Sequence, residues 1–89
     1  MEQIFAKIAE AIRYGNQDEI EKLADEVIAN KIDPIDAIQK GGVAGLDKLG
    51  EDFENLEAFL PELMAGGETM KVLIDKLTPY LEEGKSALA

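Results

Sequence analysis

Apolar residues recur at three- and four-residue spacing along the chain, which predicts amphipathic helices. The first helix spans about residues 2–14 and ends at Gly15, since glycine readily takes the left-handed conformation of a helix stop. The second begins at Asn16, which forms a capping-box pattern with Glu19, and ends at residues 30–31. The two predicted apolar stripes are Ile4, Phe5, Ile8, Ala11 and Ile12, then Ile20, Leu23, Ala24, Val27 and Ile28.

The third helix has the clearest start, because Asp33 can cap it and Pro34 suits its first position. We predict one apolar face for it, made of Ile35, Ile38, Val43, Leu46, Leu49 and Phe53. Each glycine inside a helix costs about 1 kcal/mol relative to alanine. The helix contains Gly41, Gly42, Gly45 and Gly50, which indicates close approach of another backbone or of a ligand. More than one neighbour is expected, because Gly42, Gly45 and Gly50 do not share one narrow stripe.

A link at about residues 54–59 leads to a fourth helix, which has Pro61 in its first turn. Its predicted stripe comprises Leu63, Met64, Met70, Leu73, Ile74 and Leu77. Pro79 is expected to break or kink this helix, so that Tyr80 and Leu81 begin a separate turn. Short links favour antiparallel neighbours. The sequence predicts an all-α, up-down antiparallel four-helix bundle in one domain, residues 1–83, with residues 84–89 as a tail or linker.

The composition excludes several classes of function. A net charge of −10 disfavours nucleic acid and anionic membrane surfaces as partners. The start of the chain lacks signal-peptide features, and no apolar run is long enough for a membrane span, so we expect a cytoplasmic protein. The chain contains no cysteine and no histidine, which removes thiolate metal sites, histidine-based triads and histidine-containing metal sites.

Three groups of residues are candidates for chemistry. The carboxylates Glu51, Asp52, Glu54 and Glu57 form either a cation or acid/base site or, as we prefer, a solvated face. Tyr14 and Tyr80 are expected to be packing residues with hydrated hydroxyls. On spacing alone, Met64 and Met70 fit core filling better than a cofactor pocket.

A fourth group is apolar and lies around the third link: Phe53, Phe59, Leu60 and Leu63. These residues form either a hydrophobic staple at the start of the fourth helix or a surface that faces a ligand. Gly50 precedes the group by one helical turn and Gly66 follows it by one turn. An apolar patch with such gaps beside it could accept a flat ligand.

Gly50-Glu51-Asp52-Phe53 followed by Phe59-Leu60-Pro61-Glu62-Leu63 resembles the N-terminal helical domain of corrinoid proteins, as in methionine synthase and the methanol and methylamine corrinoid proteins. Asp33-Pro34, residues 42–46 and Met70 also belong to the resemblance, and segments 11–15 and 77–81 extend it over nearly the whole chain. The resemblance implies a non-catalytic cap that shields the upper face and methyl group of methylcobalamin during methyl transfer. It also implies two partners, a cobalamin-binding α/β domain of the same longer chain and a cognate methyltransferase.

By this resemblance, the cofactor-facing residues are Phe53, Leu60 and Leu63, with Gly50 and Gly67 beside them. The chain departs from the family pattern at Leu56, where many members carry glycine, and at Gly66-Gly67, where alanines are common. It also lacks the Asp-x-His-x-x-Gly motif that supplies the lower cobalt ligand, so weak or no cobalamin binding is expected of the cap alone. The absence of Trp and His favours a methyl carrier over a cobalamin-dependent light sensor.

The alternative to the cap is a free-standing bundle that binds a protein partner through the same apolar surface, without a cofactor. That surface could also support a homodimer if no other domain covers it. An enzyme is the least favoured class, because the chain lacks His and Cys.

Overall fold

The computed structural model describes residues 2–88, and side chains from Gln3 to Leu81. Within those residues the chain forms four helices and no strand, which confirms the all-α bundle. Helix α1 is Glu2–Arg13 and α2 is Gln17–Ala29. Helix α3 covers residues 34–54 as an α-helical turn Pro34–Asp36, a π-helical segment Ala37–Val43 and the α-helix Ala44–Glu54. Helix α4 is Leu60–Leu88.

The predicted helix starts are present. The Asn16 side chain accepts a hydrogen bond from the Glu19 backbone N–H, 3.1 Å away, and caps α2. The Asp33 side chain accepts from the Ile35 N–H, 2.9 Å away, with Pro34 in the first turn of α3. Both caps satisfy backbone donors that the helix itself leaves without partners.

The first three helices all end in the same way. The second residue after each helix takes a positive φ, 66° at Gly15, 55° at Lys31 and 63° at Leu56. Each of these residues donates a hydrogen bond three residues back, and the next residue donates five residues back, as in a Schellman motif. Only the first of the three positions carries the glycine that this conformation favours. Lys31 and Leu56 therefore hold side chains in a conformation that L-residues adopt at a cost.

The core forms around α1, which packs against the other three helices. Its large fully buried side chains come from α1, α2 and α4: Ile8, Ile12, Ile20, Leu23, Val27, Leu73 and Leu77. Helix α3 contributes mainly small residues to the interior, with Leu49 as its buried large side chain. The backbone of α3 can therefore approach its neighbours closely.

Four glycines lie where the helices approach most closely, and we call them the closed seam: Gly41, Gly42, Gly45 and Gly66. A Cβ atom at Gly45 would lie 2.6 Å from the Ala9 carbonyl oxygen and 2.9 Å from the Ala9 Cα. Gly41 faces Ile8, and Gly42 faces Met70 on α4. Three glycines of α3 thus contact two different helices, which confirms the prediction of close approach by more than one neighbour. Gly66 on α4 completes the closed seam against Leu49 and the Ile12 carbonyl, so the prediction that it leaves a gap for a ligand beside the apolar patch is wrong.

The predicted face of α3 is wrong at three of its six positions. Ile35, Val43 and Phe53 are 37%, 43% and 43% exposed, whereas Ile38, Leu46 and Leu49 do pack inward. The prediction assumed one α-helical period throughout, but Ala37–Val43 is π-helical, with more residues in each turn. The wider turn changes which residues face the core, and it turns Gly41 and Gly42 inward instead of Val43.

The predicted break at Pro79 is also wrong, because α4 continues through it. Proline removes one backbone donor, which would otherwise bond to the carbonyl of Asp75. Asp75 is exposed, so water can bond to that carbonyl, and Leu77 beside it is fully buried and anchors the helix. The predicted tail or linker, residues 84–89, lies beyond the described side chains, and its role stays a prediction.

Candidate functional site

The exposed apolar side chains concentrate around the link between α3 and α4. Ten large hydrophobic side chains among the described residues are exposed, and five of them fall within residues 53–64. We call these five the apolar edge: Phe53, Leu56, Phe59, Leu60 and Met64, with exposures from 43% to 77%. Such a concentration on a small chain is typical of a surface that another body covers.

Helix geometry aligns the apolar edge with two glycines. On α4, Leu60, Met64 and Gly67 follow one another at four- and three-residue spacing and so share a face. On α3, Gly50 and Phe53 are three residues apart and share a face in the same way. A Cβ atom added at Gly50 or at Gly67 would meet no atom of a neighbouring segment within 4 Å. These two glycines, unlike those of the closed seam, leave open space.

The five predicted site residues therefore divide into three groups. Phe53 and Leu60 are exposed members of the apolar edge, at 43% and 62%. Gly50 and Gly67 are the two open glycines. Leu63 is half-buried, one position away from the exposed row of α4, so part of its side chain packs against the bundle.

Three members of the apolar edge were not among the predicted site residues. The sequence places Phe59 in the apolar cluster and predicts Met64 as core filler, and the 62% exposure of Met64 shows that the second prediction is wrong. Leu56, at 77% the most exposed of the five, enters the sequence analysis only as a departure from glycine. Its φ of 63° explains why glycine suits the position. The four-residue spacing of Leu60 and Met64 could have identified Met64.

The link itself is fixed by hydrogen bonds to α3. The carbonyl of Asp52 accepts from the Glu57 N–H at 2.7 Å and from the Ala58 N–H at 3.1 Å. The Glu62 carboxylate accepts from the Phe59 N–H at 3.3 Å, as the returning half of a capping box does. Ala58, only 3% exposed, packs inward between these bonds. The apolar side chains of the link therefore project from a defined backbone.

Asp52 is the one buried carboxylate of the described residues. Its two side-chain oxygens accept hydrogen bonds from Nε and Nη2 of Arg13, both at 2.7 Å, in a bidentate ion pair that joins α3 to the end of α1. These bonds hold the pKa of Asp52 below its ordinary value and raise that of the Arg13 guanidinium, whose pKa is high already. The ion pair therefore stays charged at neutral pH.

The other carboxylates near the site behave as a solvated face. Glu51, Glu54 and Glu57 are exposed, and the described residues contain no group of three carboxylates with the geometry of a metal site. Tyr14 is 68% exposed, and the Arg13 guanidinium lies 5.4 Å from the centre of its ring. Met70 is buried against Gly42, which confirms its interpretation as core.

A concave groove lies elsewhere in the bundle. It encloses about 530 Å³ and is lined by Val27, Ile28, Lys31, Ile32, Asp33, Pro34, Leu77 and Tyr80. It shares no residue with the apolar edge or with the two open glycines. The predicted site residues Phe53 and Leu60 are exposed on a surface, which suits contact with a second body better than enclosure of a small substrate.

Together, the bundle and its apolar edge define a small helical binding module. The comparisons with known proteins identify the module. A family model described as "B12 binding domain" matches residues 4–78. The chain belongs to this family, as the helical cap domain of corrinoid proteins.

Its relatives include methylamine corrinoid proteins of methanogens. The trimethylamine corrinoid protein of Methanosarcina barkeri is 41% identical over 85 residues, or 96% of this chain. Monomethylamine corrinoid protein 1 of Methanosarcina acetivorans is 37% identical over 84 residues, or 94% of this chain. The solved structure of the Methanosarcina barkeri monomethylamine corrinoid protein superposes with a TM-score of 0.88 at 36% identity, covering 94% of this chain.

The chain spans only 39% of the length of the trimethylamine corrinoid protein and 40% of the solved monomethylamine corrinoid protein. The fold is therefore matched almost throughout, while most of each relative has no counterpart here. Within residues 2–88, no helix combines the length and the apolar character needed to cross a membrane.

Proposed function

We propose that this domain caps the methyl-bearing face of cobalamin held by an α/β domain of the same longer chain, and that its apolar edge keeps water away from the methyl group. The proposal extends to a cognate methyltransferase as the protein to which the methyl group is presented. The domain itself performs no catalysis in this scheme. Family membership and the concentration of exposed apolar side chains at residues 53–64 support it.

The open glycines are the observation that carries the proposal. Gly50 and Gly67 each weaken their helix by up to about 1 kcal/mol relative to alanine. Glycines of the closed seam offset that cost by allowing helices to pack, but Gly50 and Gly67 have no neighbour that requires a missing side chain. Their cost is understandable if a flat body approaches the two helices closely.

The residues present fit the proposed cofactor. A corrin ring is flat and broad, and the apolar edge with its two open glycines offers an exposed surface without a charged side chain among its members. Phe53, Leu60 and the exposed part of Leu63 would contact the cofactor, and Gly50 and Gly67 would let it approach the helix backbones. Bound cobalamin would supply the cobalt–carbon chemistry of methyl transfer.

Within this scheme the domain acts through exclusion of water and through release. Apolar side chains displace water from the reactive group and so limit side reactions. They form no directional bonds that would have to break before the cap moves aside. Displacement of such a cap, to admit the methyltransferase, is a gating step of the kind that lids and loops perform in many enzymes.

The test uses a chimera in which residues 1–83 replace the matched segment of the trimethylamine corrinoid protein of Methanosarcina barkeri, loaded with methylcobalamin. Leu60→Ala should speed photolysis of the cobalt–carbon bond about threefold, because it removes an apolar side chain that keeps water away from the methyl group. Its stability should change by less than about 0.5 kcal/mol, since Leu60 is 62% exposed. Photolysis is followed by absorbance under constant light.

Ile74→Ala is the matched control. Ile74 is 37% exposed on the same helix, about 21 Å further along at a rise of 1.5 Å per residue. Its replacement should leave photolysis unchanged. Equal photolysis rates for the parent chimera and Leu60→Ala would refute shielding by Leu60, and would favour a role of the apolar edge in binding a protein partner.

A further inference from the structure

Asp52 makes hydrogen bonds in two directions at once. Its carboxylate accepts two bonds from Arg13 at the end of α1, and its backbone carbonyl accepts two from the link, donated by Glu57 and Ala58. The same residue thus connects the first helix of the bundle with the segment that carries Leu56 and Phe59. No other carboxylate among the described residues is buried.

The position of Asp52 on α3 is unusual for a charged residue. It continues the buried row of Gly45 and Leu49 at helical spacing, where an apolar side chain would ordinarily stand. A carboxylate there requires a partner, because burial of an unpaired charge is costly. Arg13 is that partner, and it donates a hydrogen bond to each carboxylate oxygen of Asp52. This bidentate geometry favours one orientation of the end of α3 relative to α1.

The link beyond Asp52 needs such support. Leu56 holds a left-handed conformation that costs free energy for a residue with a side chain, and its side chain is 77% exposed, so packing offsets little of the cost. The two hydrogen bonds to the Asp52 carbonyl lie directly after Leu56 and close the turn around it. An Asp52 backbone free to shift would release those bonds and let the turn relax.

We propose that Arg13 and Asp52 are positioning residues: their ion pair fixes the link 55–59 so that Leu56, Phe59 and Leu60 take their places in the apolar edge before any cofactor binds. The inference rests on the proposed function, since it assigns the ion pair a part in shielding the methyl group. A surface ordered in advance pays less conformational entropy on contact than one that must order itself. Neither residue touches the cofactor in this scheme.

A second ion pair provides the control. Lys76 Nζ lies 3.0 Å from Asp25 Oδ1 and joins α4 to α2 by one contact, away from the link. Arg13→Met and Lys76→Met each remove the cation and keep an apolar stem. Arg13→Lys keeps the charge but loses the bidentate geometry, and so should behave between Arg13→Met and the parent.

The first experiment measures amide hydrogen exchange in the 89-residue chain. Arg13→Met should increase the amide exchange rates of Glu57 and Ala58 by a factor at least about three times larger than the factor at buried Leu73. The reason is that loss of the ion pair opens the link locally and not the whole domain. Lys76→Met should not alter that ratio. A purely stabilising ion pair would speed exchange at the link and at Leu73 alike, and that result would overturn the inference. Asp52→Asn, which keeps the shape and one acceptor, replaces Arg13→Met if the latter does not fold.

The second experiment measures photolysis in the methylcobalamin-loaded chimera. Arg13→Met should speed it about twofold, Arg13→Lys by less, and Lys76→Met not at all. If Leu60→Ala speeds photolysis while Arg13→Met does not, the positioning role is wrong and the shielding cap stands. If Leu60→Ala also has no effect, the proposed function fails and the positioning role fails with it.

Discussion

The closed seam and the apolar edge use the same residue type for opposite purposes. In the closed seam, a side chain at Gly45 or Gly66 would collide with a neighbouring helix. Beside the apolar edge, a side chain at Gly50 or Gly67 would meet open space. Glycine thus brings two parts of the fold together in one region, whereas in the other it faces open space.

The difference shows how a functional surface can be separated from a core in a small domain. The closed seam is explained entirely by contacts within the chain. Contacts within the chain do not explain the apolar edge in the same way. Its side chains are exposed, the two glycines beside it weaken their helices, and Leu56 holds a strained backbone. Features that weaken the chain without stabilising its own fold are expected where a functional surface lies.

The largest expected effect comes from filling the closed seam. Gly45→Ala should destabilise the domain by about 3 kcal/mol or prevent folding, because its Cβ would lie 2.6 Å from a backbone oxygen that cannot move independently of α1. Urea unfolding followed by circular dichroism measures the change. A loss below about 0.5 kcal/mol would mean that the closed seam tolerates a wider helix separation than the structure shows.

Filling the open glycines should have the opposite effect on stability. The double variant Gly50→Ala/Gly67→Ala should stabilise the isolated chain by about 1–2 kcal/mol, from helix propensity alone. In the chimera the same variant should weaken the protection of methylcobalamin, since each methyl group occupies space that we assign to the cofactor. Urea unfolding and photolysis report the two effects. A variant that is stabilised and still fully protects the cofactor would remove the glycine argument for the proposed function.

The smallest expected effect concerns the backbone of the link. Leu56→Gly should stabilise the turn by up to about 1 kcal/mol, because glycine adopts a φ of 63° without a steric penalty. Lys31→Gly is the matched control, since Lys31 occupies the same position after α2 with a φ of 55°. Thermal unfolding of both variants compares the two turns. If only Lys31→Gly is stabilised, the Leu56 side chain must make stabilising contacts that offset the strain of its backbone.

Much of the fold was predictable because its determinants are local. The caps at Asn16 and Asp33 and the stop at Gly15 follow from side-chain and backbone chemistry within a few residues. The apolar stripes of α1 and α2 face the core for the same reason, with most of their residues buried and Ile4, Phe5 and Ile28 partly buried. The face of α3 and the passage of α4 through Pro79 were not predictable in this way, since helix period and helix continuity there depend on packing against other elements.

The candidate site was predictable in part. Phe53 and Leu60 are exposed, and Gly50 and Gly67 are open, at positions named from the resemblance; their contact with cobalamin stays a prediction. The ion pair of Arg13 and Asp52 was missed because its members are 39 residues apart. Asp52 nevertheless stands three residues after Leu49, on a face of the helix that packs inward. A buried carboxylate at that position indicates that a cation lies nearby.

The π-helical segment Ala37–Val43 has a consequence for how chain length is interpreted in this family. Successive residues of an α-helix are rotated by about 100°, so one residue more or fewer would normally turn Gly45, Leu49 and Asp52 away from α1. A π-helical turn holds more residues than an α-helical turn, so it can accommodate one inserted residue without rotating the residues that follow. If one residue is deleted, the same turn can become α-helical, and the later contacts are again kept in place. A one-residue gap in an alignment between residues 37 and 43 would then mark a change of helix type and not a change of fold.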